Sequence, residues 1–390
     1  MAEMPLLLGF GTNDWSDYWQ TRQHVLSRLA NRGFRVGYTT PALSIHERTR
    51  PRWQDARWQA RREVLDGVRV MHPGRWPPLT HRVAAIDCAV VRRQARQFAD
   101  YVGGRRGARP DIAYVFHPEY LPYLEGIAAR HVVYHADDNF GAMSAGDARL
   151  RALEQGLVER ADLVFAITEG VAKGLGERAA GKVVIVGNGA DVDLYGTAGL
   201  LPVPDDLAAI PRPVIGYAGS LNNKVDFPLV ARLARARPGF HWALIGQVWG
   251  DEHLSAPLRA GLAECRRLPN VWFLGRKSYL ELPAYCAHVD ASAMLYRTDG
   301  EGWWHSIYPL KMHECLATGR PLLSSDVPAV RAYGDVVTLC TNEQEWLAAL
   351  DAVAAGDDPV RQAARRSVAR ANSWDCRLDQ IVAELRRLDG

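Results

Sequence analysis

The amino-acid sequence predicts an α/β protein that consists of two doubly wound, Rossmann-like domains facing each other across a cleft. Two observations support this fold class. Short apolar segments alternate with amphipathic ones along the chain, and a proline-rich stretch at 197–213 interrupts the alternation. Alternating strands and helices predict parallel sheets with crossover helices, and the interruption predicts a linker between two domains. We therefore predict a first domain at 1–196, a second domain at 214–372 and a terminal helix at 373–390.

The predicted strands are apolar runs bounded by glycine, proline or polar clusters. In the first domain they lie at 6–10, 34–38, 68–71, 112–116, 132–134, 163–167 and 183–186. In the second domain they lie at 214–217, 242–245, 271–274, 291–295, 321–324 and 336–339. A helix is predicted at 19–31, ending at Gly33. In open parallel sheets, ligands bind at the carboxyl ends of the strands.

Composition is that of an ordinary globular protein, with 390 residues of which 48% are hydrophobic and 23% charged. This length is enough for two cores. The six cysteines show neither metal-ligand nor disulfide spacing, which favours a reducing compartment. The first residues lack the basic region of a signal peptide, and no segment approaches the ~18 apolar residues of a membrane-spanning helix. We therefore expect a cytoplasmic protein.

One region of the chain is strongly basic. From Arg48 to Arg109 there are fifteen arginines, no lysine and five acids, a net charge of +10, and Trp53, Trp58 and Trp76 are interleaved. A solvated charged surface is one interpretation. Contact with an anionic membrane is the other, because tryptophans favour the headgroup level and arginines pair with lipid phosphates. No nucleic-acid-binding motif accompanies the region, so we expect no nucleic-acid partner.

The most informative segment, at 308–326, reads Tyr-Pro-Leu-Lys-Met-His-Glu-Cys-Leu-Ala-Thr-Gly-Arg-Pro-Leu-Leu-Ser-Ser-Asp. Pro309 suits the first turn of a helix, and Gly319 ends that helix. The start of such a helix offers free N–H groups and a partial positive charge to a diphosphate. Lys311 and Glu314, three residues apart, lie on one face. The lysine suits the phosphates of a nucleotide-sugar, and the glutamate suits its ribose hydroxyls.

This segment resembles the nucleotide-binding helix of the glycosyltransferase group 1 family, in a subgroup with the run Pro-Leu-Lys-x-x-Glu-x-Leu-Ala-x-Gly-x-Pro. The resemblance implies the GT-B fold and transfer of a sugar from a nucleotide-diphosphate sugar to a saccharide, lipid-linked or small-molecule acceptor hydroxyl, with retention of configuration. It implies a role in cell-surface polysaccharide or glycoconjugate synthesis, without a metal or other cofactor. It also implies that the terminal helix crosses back to the first domain. A lipid-linked acceptor would place the protein at the inner face of the plasma membrane.

The resemblance extends to further donor-binding positions in the second domain. The loop after 214–217 matches the family's phosphate-binding loop, with Ser220 in place of its arginine and Lys224 as its remaining basic residue. The first of two family glutamates is replaced by Ser306, and whether Glu301 takes its place is left open. The residues assigned to the nucleotide-sugar are Gly219, Ser220, Lys224, Arg276, Tyr279, His305, Tyr308, Pro309, Leu310, Lys311 and Glu314.

In the first domain, histidines at strand ends are the candidate catalytic groups. His135 follows the strand at 132–134 and resembles the family histidine that hydrogen-bonds the donor sugar, while His117 ends the strand at 112–116. In this hypothesis Asp138 orients His135 or an acceptor hydroxyl. A structural histidine and a capping aspartate are the alternatives. On the acceptor side the resemblance implies Gly11, Trp15, Trp19 and Arg22.

Three other functions remain open from the sequence. A GT-B nucleotide-sugar epimerase shares the architecture, and a non-catalytic GT-B subunit is consistent with Ser220 in the phosphate loop. A nicotinamide dehydrogenase is disfavoured, because Gly9-Phe-Gly11 lacks the third glycine of the dinucleotide fingerprint. Asp191 and Asp193 lie in a turn, so we expect no metal site there.

Overall fold

The computed structural model describes residues 4–16, 18–140, 147–250, 254–299 and 302–388. The chain divides into two compact units. The first consists of Met1–Gly187 together with Leu378–Gly390, and the second of Asn188–Arg377. Each unit is built on a mainly parallel sheet with helices between the strands. The predicted fold class of two Rossmann-like α/β domains is therefore confirmed.

The first unit contains a mostly buried sheet. Its strands are β1 (Leu6–Phe10), β2 (Arg35–Thr39), β3 (Arg61–Leu65), β4 (Val68–His72), β5 (Ile112–Val115), β6 (His131–Ala136), β7 (Leu163–Ala166) and β8 (Val183–Ile185). They are arranged in the order β3-β4-β2-β1-β5-β6-β7-β8. Strands β3 and β4 pair antiparallel, and the other neighbours pair in parallel. All five residues of β1 are buried, as expected for a central parallel strand.

Helices connect these strands in the first unit. They are α1 (Thr21–Asn31), α2 (Pro51–Asp55), α3 (Ala84–Gly103), α4 (Leu121–Leu124), α5 (Ala148–Arg160) and α6 (Glu169–Gly174). The longest of them, α3, buries Val91, Ala95 and Phe98 along one side, which is the spacing of an amphipathic helix lying on a sheet. In the part of the chain that the structure covers, no helix has the length and apolar character needed to cross a membrane.

The second unit contains a parallel sheet. Its strands are β9 (Val214–Ala218), β10 (His241–Ile245), β11 (Val271–Gly275), β12 (Ala291–Met294), β13 (Leu322–Ser325) and β14 (Thr338–Cys340). Their order is β11-β10-β9-β12-β13-β14. The helices are α7 (Val192–Gly196), α8 (Asp205–Ala208), α9 (Phe227–Ala236), α10 (Ala256–Cys265), α11 (Leu282–His288), α12 (Lys311–Thr318), α13 (Pro328–Arg331), α14 (Glu343–Ala354) and α15 (Pro359–Ala371). The central strand β9 is buried over four of its five residues.

The division between the units differs from the predicted one. Residues 188–213 belong to the second unit, whereas the sequence places 188–196 in the first domain and a linker at 197–213. The proline-rich stretch packs rather than links, because Leu207 and Ile210 are buried in one cluster with Val289. The prolines therefore separate short helical turns on the surface of the second unit.

The last helix, α16 (Trp374–Arg387), lies in both units, since the chain from Leu378 onwards belongs to the first. In the first unit, Asp379 of this helix pairs with Arg32 at 2.5 Å. Its residues Leu378, Ile381 and Leu385 are buried. Apolar residues at this spacing form one helical face, which anchors the end of the chain.

Strand β3 is not predicted by the sequence. It reads Arg-Arg-Glu-Val-Leu, and Arg61, Arg62 and Val64 are exposed. The strand occupies the edge of the sheet and pairs antiparallel with β4. An exposed edge strand needs no apolar run, and charges on it discourage pairing with other chains, so the hydrophobic pattern that reveals the buried strands is missing here.

Candidate functional site

Helix α12 presents the two charged residues of the predicted nucleotide motif. It follows Pro309 and ends at Gly319, whose φ of +81° is the left-handed conformation of a helix C-cap. No side chain caps its first turn. Met312 and Leu316 are buried and fix the helix in the second unit. Lys311 and Glu314 are only half-buried, so both remain available for a ligand.

The ammonium group of Lys311 lies against the glycine loop that follows β9. A Cβ atom placed on Gly219 would lie 2.5 Å from the Nζ of Lys311, and the φ of Gly219 is +143°. A Cβ on Gly246, after the neighbouring strand β10, would lie 1.9 Å from the carbonyl oxygen of Gly219. Both positions therefore require glycine. The ends of two adjacent parallel strands and the start of α12 meet here, where ligands of open α/β sheets bind.

Two tyrosine rings surround the same ammonium group. The Nζ of Lys311 is 3.7 Å from the ring centroid of Tyr217 and 5.8 Å from that of Tyr296. Burial by itself lowers the pKa of Lys311, but interactions with the two tyrosines outweigh this effect and raise the pKa above its usual value. The lysine is thus a permanent cation held in a fixed place, which suits a diphosphate.

Glu314 lies one turn along α12 from Lys311. Burial raises the pKa of Glu314 to about 8, and the nearby Cys315 and Asp191 add to this shift. A hydrogen bond from Tyr195 and the charge of Lys311 act in the opposite direction and lower the pKa. At pH 7 the carboxyl group is therefore mostly protonated. Ribose hydroxyls donate best to an ionised carboxylate, so a nucleotide would favour loss of this proton.

Tyr279 joins the surroundings of Glu314. Its side chain is buried, and its hydroxyl lies 3.5 Å from Oδ2 of Asp191, the N-cap of α7. Arg276 is exposed after β11. The adjacent Lys277 forms an ion pair with Asp206 at 2.6 Å, which gives that lysine a structural role. A predicted base-binding residue, Tyr279, is thus close to the predicted ribose-binding one.

Tyr308 supports α12 through its hydroxyl. This group lies 2.7 Å from Nε2 of His313 and 2.9 Å from the hydroxyl of Tyr333, and the Tyr308 carbonyl accepts a hydrogen bond from Asn188 at 2.9 Å. Burial, and then the charge of Arg377, lowers the pKa of His313 to about 3, so the ring is neutral. The Tyr308 hydroxyl therefore holds the segment before α12, and contact of Tyr308 with a nucleotide stays a prediction.

A basic residue that the sequence motif does not reveal lies beside the Lys224 loop. The backbone N–H of Arg297 donates to the carbonyl of Lys224 at 3.1 Å, and its side chain pairs with Asp299 at 3.0 Å. The contact arises because Val225 and Tyr296 form an isolated β-bridge. Since Tyr296 also flanks Lys311, the structure brings a further guanidinium to the Lys224 loop, where Ser220 replaces the arginine expected from the resemblance.

The remaining residues predicted to bind the donor lie in the loop before α12 and in the loop after β9. His305 is exposed and stacks on Trp304 with ring centroids 3.6 Å apart. Ser306 is buried. The carbonyl of Ser220 accepts a hydrogen bond from the Tyr217 hydroxyl at 3.1 Å. Glu301, the residue that resembles the family's first glutamate, lies outside the described residues.

The two candidate histidines of the first unit have different surroundings. His135 belongs to β6, is 1% exposed, and its Nδ1 lies 2.8 Å from the Tyr114 hydroxyl. Burial, with a smaller effect of Arg22, lowers its pKa to about 3. His117 follows β5 and is half-buried; burial, and again Arg22, lowers its pKa to about 4. The structure therefore places His135 in the core and leaves His117 as the histidine that a ligand can reach.

A buried ion pair lies close to His117 at the carboxyl ends of the central strands. Arg22 of α1 and Asp137, which follows β6, are 3.3 Å apart and nearly buried. Burial raises the pKa of Asp137 to about 6, although Arg22 opposes this and Asp138 adds to it. Asp138 is half-buried. In the described ranges, no group of three or more histidine, cysteine, aspartate or glutamate side chains is arranged to hold a metal ion.

Among the residues predicted on the acceptor side, Gly11 and Trp15 are buried and Trp19 is half-buried. The carbonyl of Gly11 accepts a hydrogen bond from the buried Tyr120 hydroxyl at 2.6 Å, so the loop after β1 is fixed. Trp15 is a correction: it is 6% exposed, and its indole N–H donates to Asp66 at 2.9 Å. It anchors the loop in the core and does not line an acceptor site. Trp19 is half-buried and packs edge-on against a neighbouring histidine ring.

A cavity of about 870 Å³ opens in the first unit. Thr12 of the loop after β1 and Glu119 belong to its wall, and Oε2 of Glu119 lies 3.7 Å from Nδ1 of His117. The cavity wall therefore comes close to His117 through Glu119. Its other polar wall residues include Arg52, Arg82 and Arg149. Sequence reasoning does not find this cavity, because its wall combines segments that are distant along the chain.

Comparison with known proteins adds sequence and fold relationships. No family model matches the chain. It is 25% identical over 269 residues, 64% of its length, to a Bacillus subtilis (strain 168) protein named "Putative teichuronic acid biosynthesis glycosyltransferase TuaH". The match spans 66% of that protein, just under two thirds of its length.

Solved structures resemble the chain along nearly its whole length. Anabaena HepE, in complex with UDP and glucose, superposes with a TM-score of 0.71 at 17% identity, covering 98% of this chain and 100% of that one. The sucrose-phosphate synthase of Thermosynechococcus elongatus gives a TM-score of 0.69 at 16% identity, covering 98% and 99%. An E. coli protein bound with UDP-2-fluoro glucose gives 0.70 at 13% identity, covering 97% and 98%. The chain thus has the GT-B fold and is similar in sequence to a glycosyltransferase.

Proposed function

We propose that this protein is a retaining glycosyltransferase that moves a hexose from a nucleotide-diphosphate sugar to an acceptor hydroxyl. The observation that carries the proposal is the position of Lys311, which lies against the Gly219 loop while Glu314 follows three residues later on the same helix. A cation beside a glycine loop suits a diphosphate, and a carboxyl group one turn away suits the adjoining ribose.

The donor would bind to the second unit in a defined orientation. Its diphosphate would contact Lys311 and the backbone at Gly219, with Lys224 and Arg297 on the outer side. Its ribose would reach Glu314, and its base would lie towards Arg276 and Tyr279. UDP is the first nucleotide to test, because HepE has been crystallised with UDP and with UDP-glucose.

The chemistry would rest on stabilising the leaving group. The bond between the sugar C1 and the diphosphate oxygen breaks, the acceptor oxygen bonds to C1, and the hydroxyl proton leaves with the diphosphate. Negative charge develops on the diphosphate, where Lys311 is already in place. Preorganised charge of this kind lowers the barrier without an enzyme nucleophile or a metal. His117, neutral at pH 7 because burial lowers its pKa to about 4, would hydrogen-bond the sugar.

The acceptor would bind to the first unit, in the cavity whose wall residue Glu119 lies beside His117. A saccharide, a lipid-linked saccharide and a small molecule all have a hydroxyl that fits this chemistry. The relative named for teichuronic acid biosynthesis favours a cell-surface polysaccharide or glycoconjugate. We place the protein in the cytoplasm, at the inner face of the plasma membrane, where a lipid-linked acceptor would be met.

Nucleotide binding and sugar transfer test the proposal. Thermal-shift measurements with UDP, GDP, ADP and TDP should show stabilisation by one of them, and the matching nucleotide-sugars should then be turned over. Retention would appear as the same anomeric configuration in donor and product by NMR. Activity should persist in the presence of a chelator. Absence of both stabilisation and turnover with all four nucleotide classes would refute the assignment, and product formation without any acceptor would point to an epimerase.

A further inference from the structure

Large apolar side chains are exposed on one part of the first unit. Ile45, Trp58, Trp76, Val83 and Ile86 have exposed fractions of 41%, 64%, 63%, 48% and 50%. All five lie in the segments 44–62 and 74–87, which we call the tryptophan surface. Scattered single residues of this type are common on protein surfaces, but a group of them on neighbouring segments marks an interaction site.

The tryptophan surface is held together by its own hydrogen bonds. The rings of Trp58 and Trp76 stack with centroids 5.9 Å apart and an interplanar angle of 3°, and the Trp76 N–H donates to the Trp58 carbonyl at 3.2 Å. The backbone N–H of Ile45 donates to the Leu79 carbonyl at 3.0 Å. The two segments are therefore fixed against each other, so the indoles are exposed in a prearranged position and binding would order few further side chains.

Charge on the tryptophan surface indicates an anionic partner. Its two segments carry eight arginines, no lysine and three acids, a net charge of +5. Among the acids, Asp87 accepts hydrogen bonds from the backbone of Thr80 and His81. Glu47 pairs with Arg50 at 3.1 Å. Two of the three acids are thus engaged within the surface itself, while Arg48, Arg57 and Arg82 are exposed.

The combination favours a lipid bilayer over a nucleic acid. Arginine would serve both partners, since both present phosphates. Exposed aliphatic side chains such as Val83 and Ile86 gain free energy only by entering an apolar medium, and tryptophan favours the headgroup region. The same two segments also form the cavity wall, through Ser44, Arg52, Leu79 and Arg82. A molecule anchored at this surface would therefore reach the cavity.

We propose that the tryptophan surface binds the anionic face of a lipid bilayer and presents the cavity of the first unit to an acceptor carried by that bilayer. The inference rests on the proposed transferase function for the role of the cavity, but binding of the bilayer itself requires no activity. Apolar insertion and electrostatic attraction act together here, because one weak anchor gives only marginal membrane affinity.

Vesicle co-sedimentation of the full chain tests the proposal. Wild-type protein should bind vesicles that contain phosphatidylglycerol and should bind pure phosphatidylcholine vesicles at least about tenfold more weakly. Trp58→Ala/Trp76→Ala should reduce binding to the anionic vesicles by about tenfold or more. The matched control is Trp249→Ala, because Trp249 is 52% exposed in the second unit and its removal should change nothing. A second variant, Val83→Ser/Ile86→Ser, repeats the test if the first one unfolds.

The outcomes separate the docking surface from the transferase function. Equal binding of both vesicle types, or unchanged binding in both variants, would overturn the inference, as would binding of a duplex oligonucleotide without binding of vesicles. Thermal stabilisation by the nucleotide should be the same in wild-type protein and in Trp58→Ala/Trp76→Ala. Vesicle binding without stabilisation by, or turnover of, any of the four nucleotide classes would leave the surface standing and refute the proposed function instead.

Discussion

At the scale of single residues, Lys311 provides the sharpest test of the donor site. Its ammonium group is fixed between the Gly219 loop and the Tyr217 ring, where the proposed mechanism places the negative charge of the leaving diphosphate. We expect Lys311→Ala to lower kcat by at least about 100-fold, the effect of one lost transition-state contact. Initial rates at saturating donor measure this. The control is Lys173→Ala, which removes an exposed lysine of the first unit. Turnover within about threefold of wild type in Lys311→Ala would contradict the assignment of Lys311 to the diphosphate.

Glu314 should make nucleotide binding depend on pH. Because its pKa in the free protein is about 8 and ribose favours the ionised form, affinity should rise with pH up to about 8 and then level off. The gain approaches tenfold per pH unit below that value. Binding at about pH 7 should also release close to one proton, which titration calorimetry in buffers of different ionisation enthalpy detects.

The control for this prediction is Glu314→Gln, which cannot ionise. Its affinity should be weaker and flat between about pH 7 and pH 9, because phosphate groups with a pKa near 6 are already ionised there. If nucleotide affinity depended on pH in the same way in wild type and in Glu314→Gln, the group that loses the proton on binding would not be Glu314. The raised pKa also affects stability: between pH 4.5 and about 8 the folded protein keeps a proton on Glu314 that the unfolded chain releases, so stability falls as pH rises across that range and levels off above it.

His117 and His135 should separate catalysis from folding. We expect His117→Gln to lower turnover by about tenfold or more, the low end for one lost polar contact in the transition state, with little change in unfolding. His135→Ala should instead lower the free energy of unfolding by about 1–3 kcal/mol, because it leaves the buried Tyr114 hydroxyl without its partner. Urea denaturation and initial rates measure the two effects. A His135→Ala protein of normal stability without activity would return the catalytic role to His135.

At the scale of elements, the loop between β9 and α9 should tolerate no side chain at Gly219. Its φ of +143° and the 2.5 Å approach of Lys311 Nζ to an added Cβ mean that Gly219→Ala must displace the ammonium group. We expect the Kd for nucleotide to rise by about tenfold or more, with a loss of stability of about 1–3 kcal/mol.

Gly239→Ala is the matched control in the same unit. An added Cβ there meets nothing within 4 Å, and no positive φ is involved, so binding should match wild type. Calorimetric titration of both variants with the same nucleotide gives the comparison. Normal affinity in Gly219→Ala would show that the diphosphate does not use this loop.

Sequence reasoning succeeds for elements whose pattern is local. Buried parallel strands appear as apolar runs, and α12 is marked at both ends by Pro309 and Gly319. It fails where an element owes its place to distant contacts. Strand β3 is stabilised by pairing with β4 at a sheet edge, and Arg297 reaches the Lys224 loop through a β-bridge at Tyr296. Neither relation leaves a periodic signal in the sequence.

The same limit applies to histidines. His117 and His135 both follow the family pattern of a histidine at a strand end, and their order along the chain does not rank them. Strand β6 continues through His135 to Ala136, which turns the His135 ring into the core, whereas β5 ends at Val115 and leaves His117 in the following loop. A difference of two residues in strand length therefore decides which ring a ligand can reach.

At the scale of the whole molecule, charge is distributed more unevenly than its total suggests. The chain carries a net +3, but the region 48–109 carries +10, which leaves −7 for all other residues. The basic part lies in the first unit, and eight of its fifteen arginines belong to the tryptophan surface. Such an asymmetric field orients the molecule towards an anionic surface before contact.

Membrane binding should for this reason depend steeply on salt. Screening shortens the Debye length from about 14 Å at 50 mM to about 6 Å at 300 mM ionic strength, so affinity for phosphatidylglycerol vesicles should fall by about tenfold or more over that range. Trp58→Ala/Trp76→Ala should bind more weakly at every salt concentration but keep the same slope, because its arginines are intact. Arg57→Gln/Arg82→Gln should instead flatten the slope, since it removes two exposed charges and leaves the indoles. Binding that is independent of salt in wild-type protein would show that apolar insertion acts alone and that the arginine excess serves another purpose.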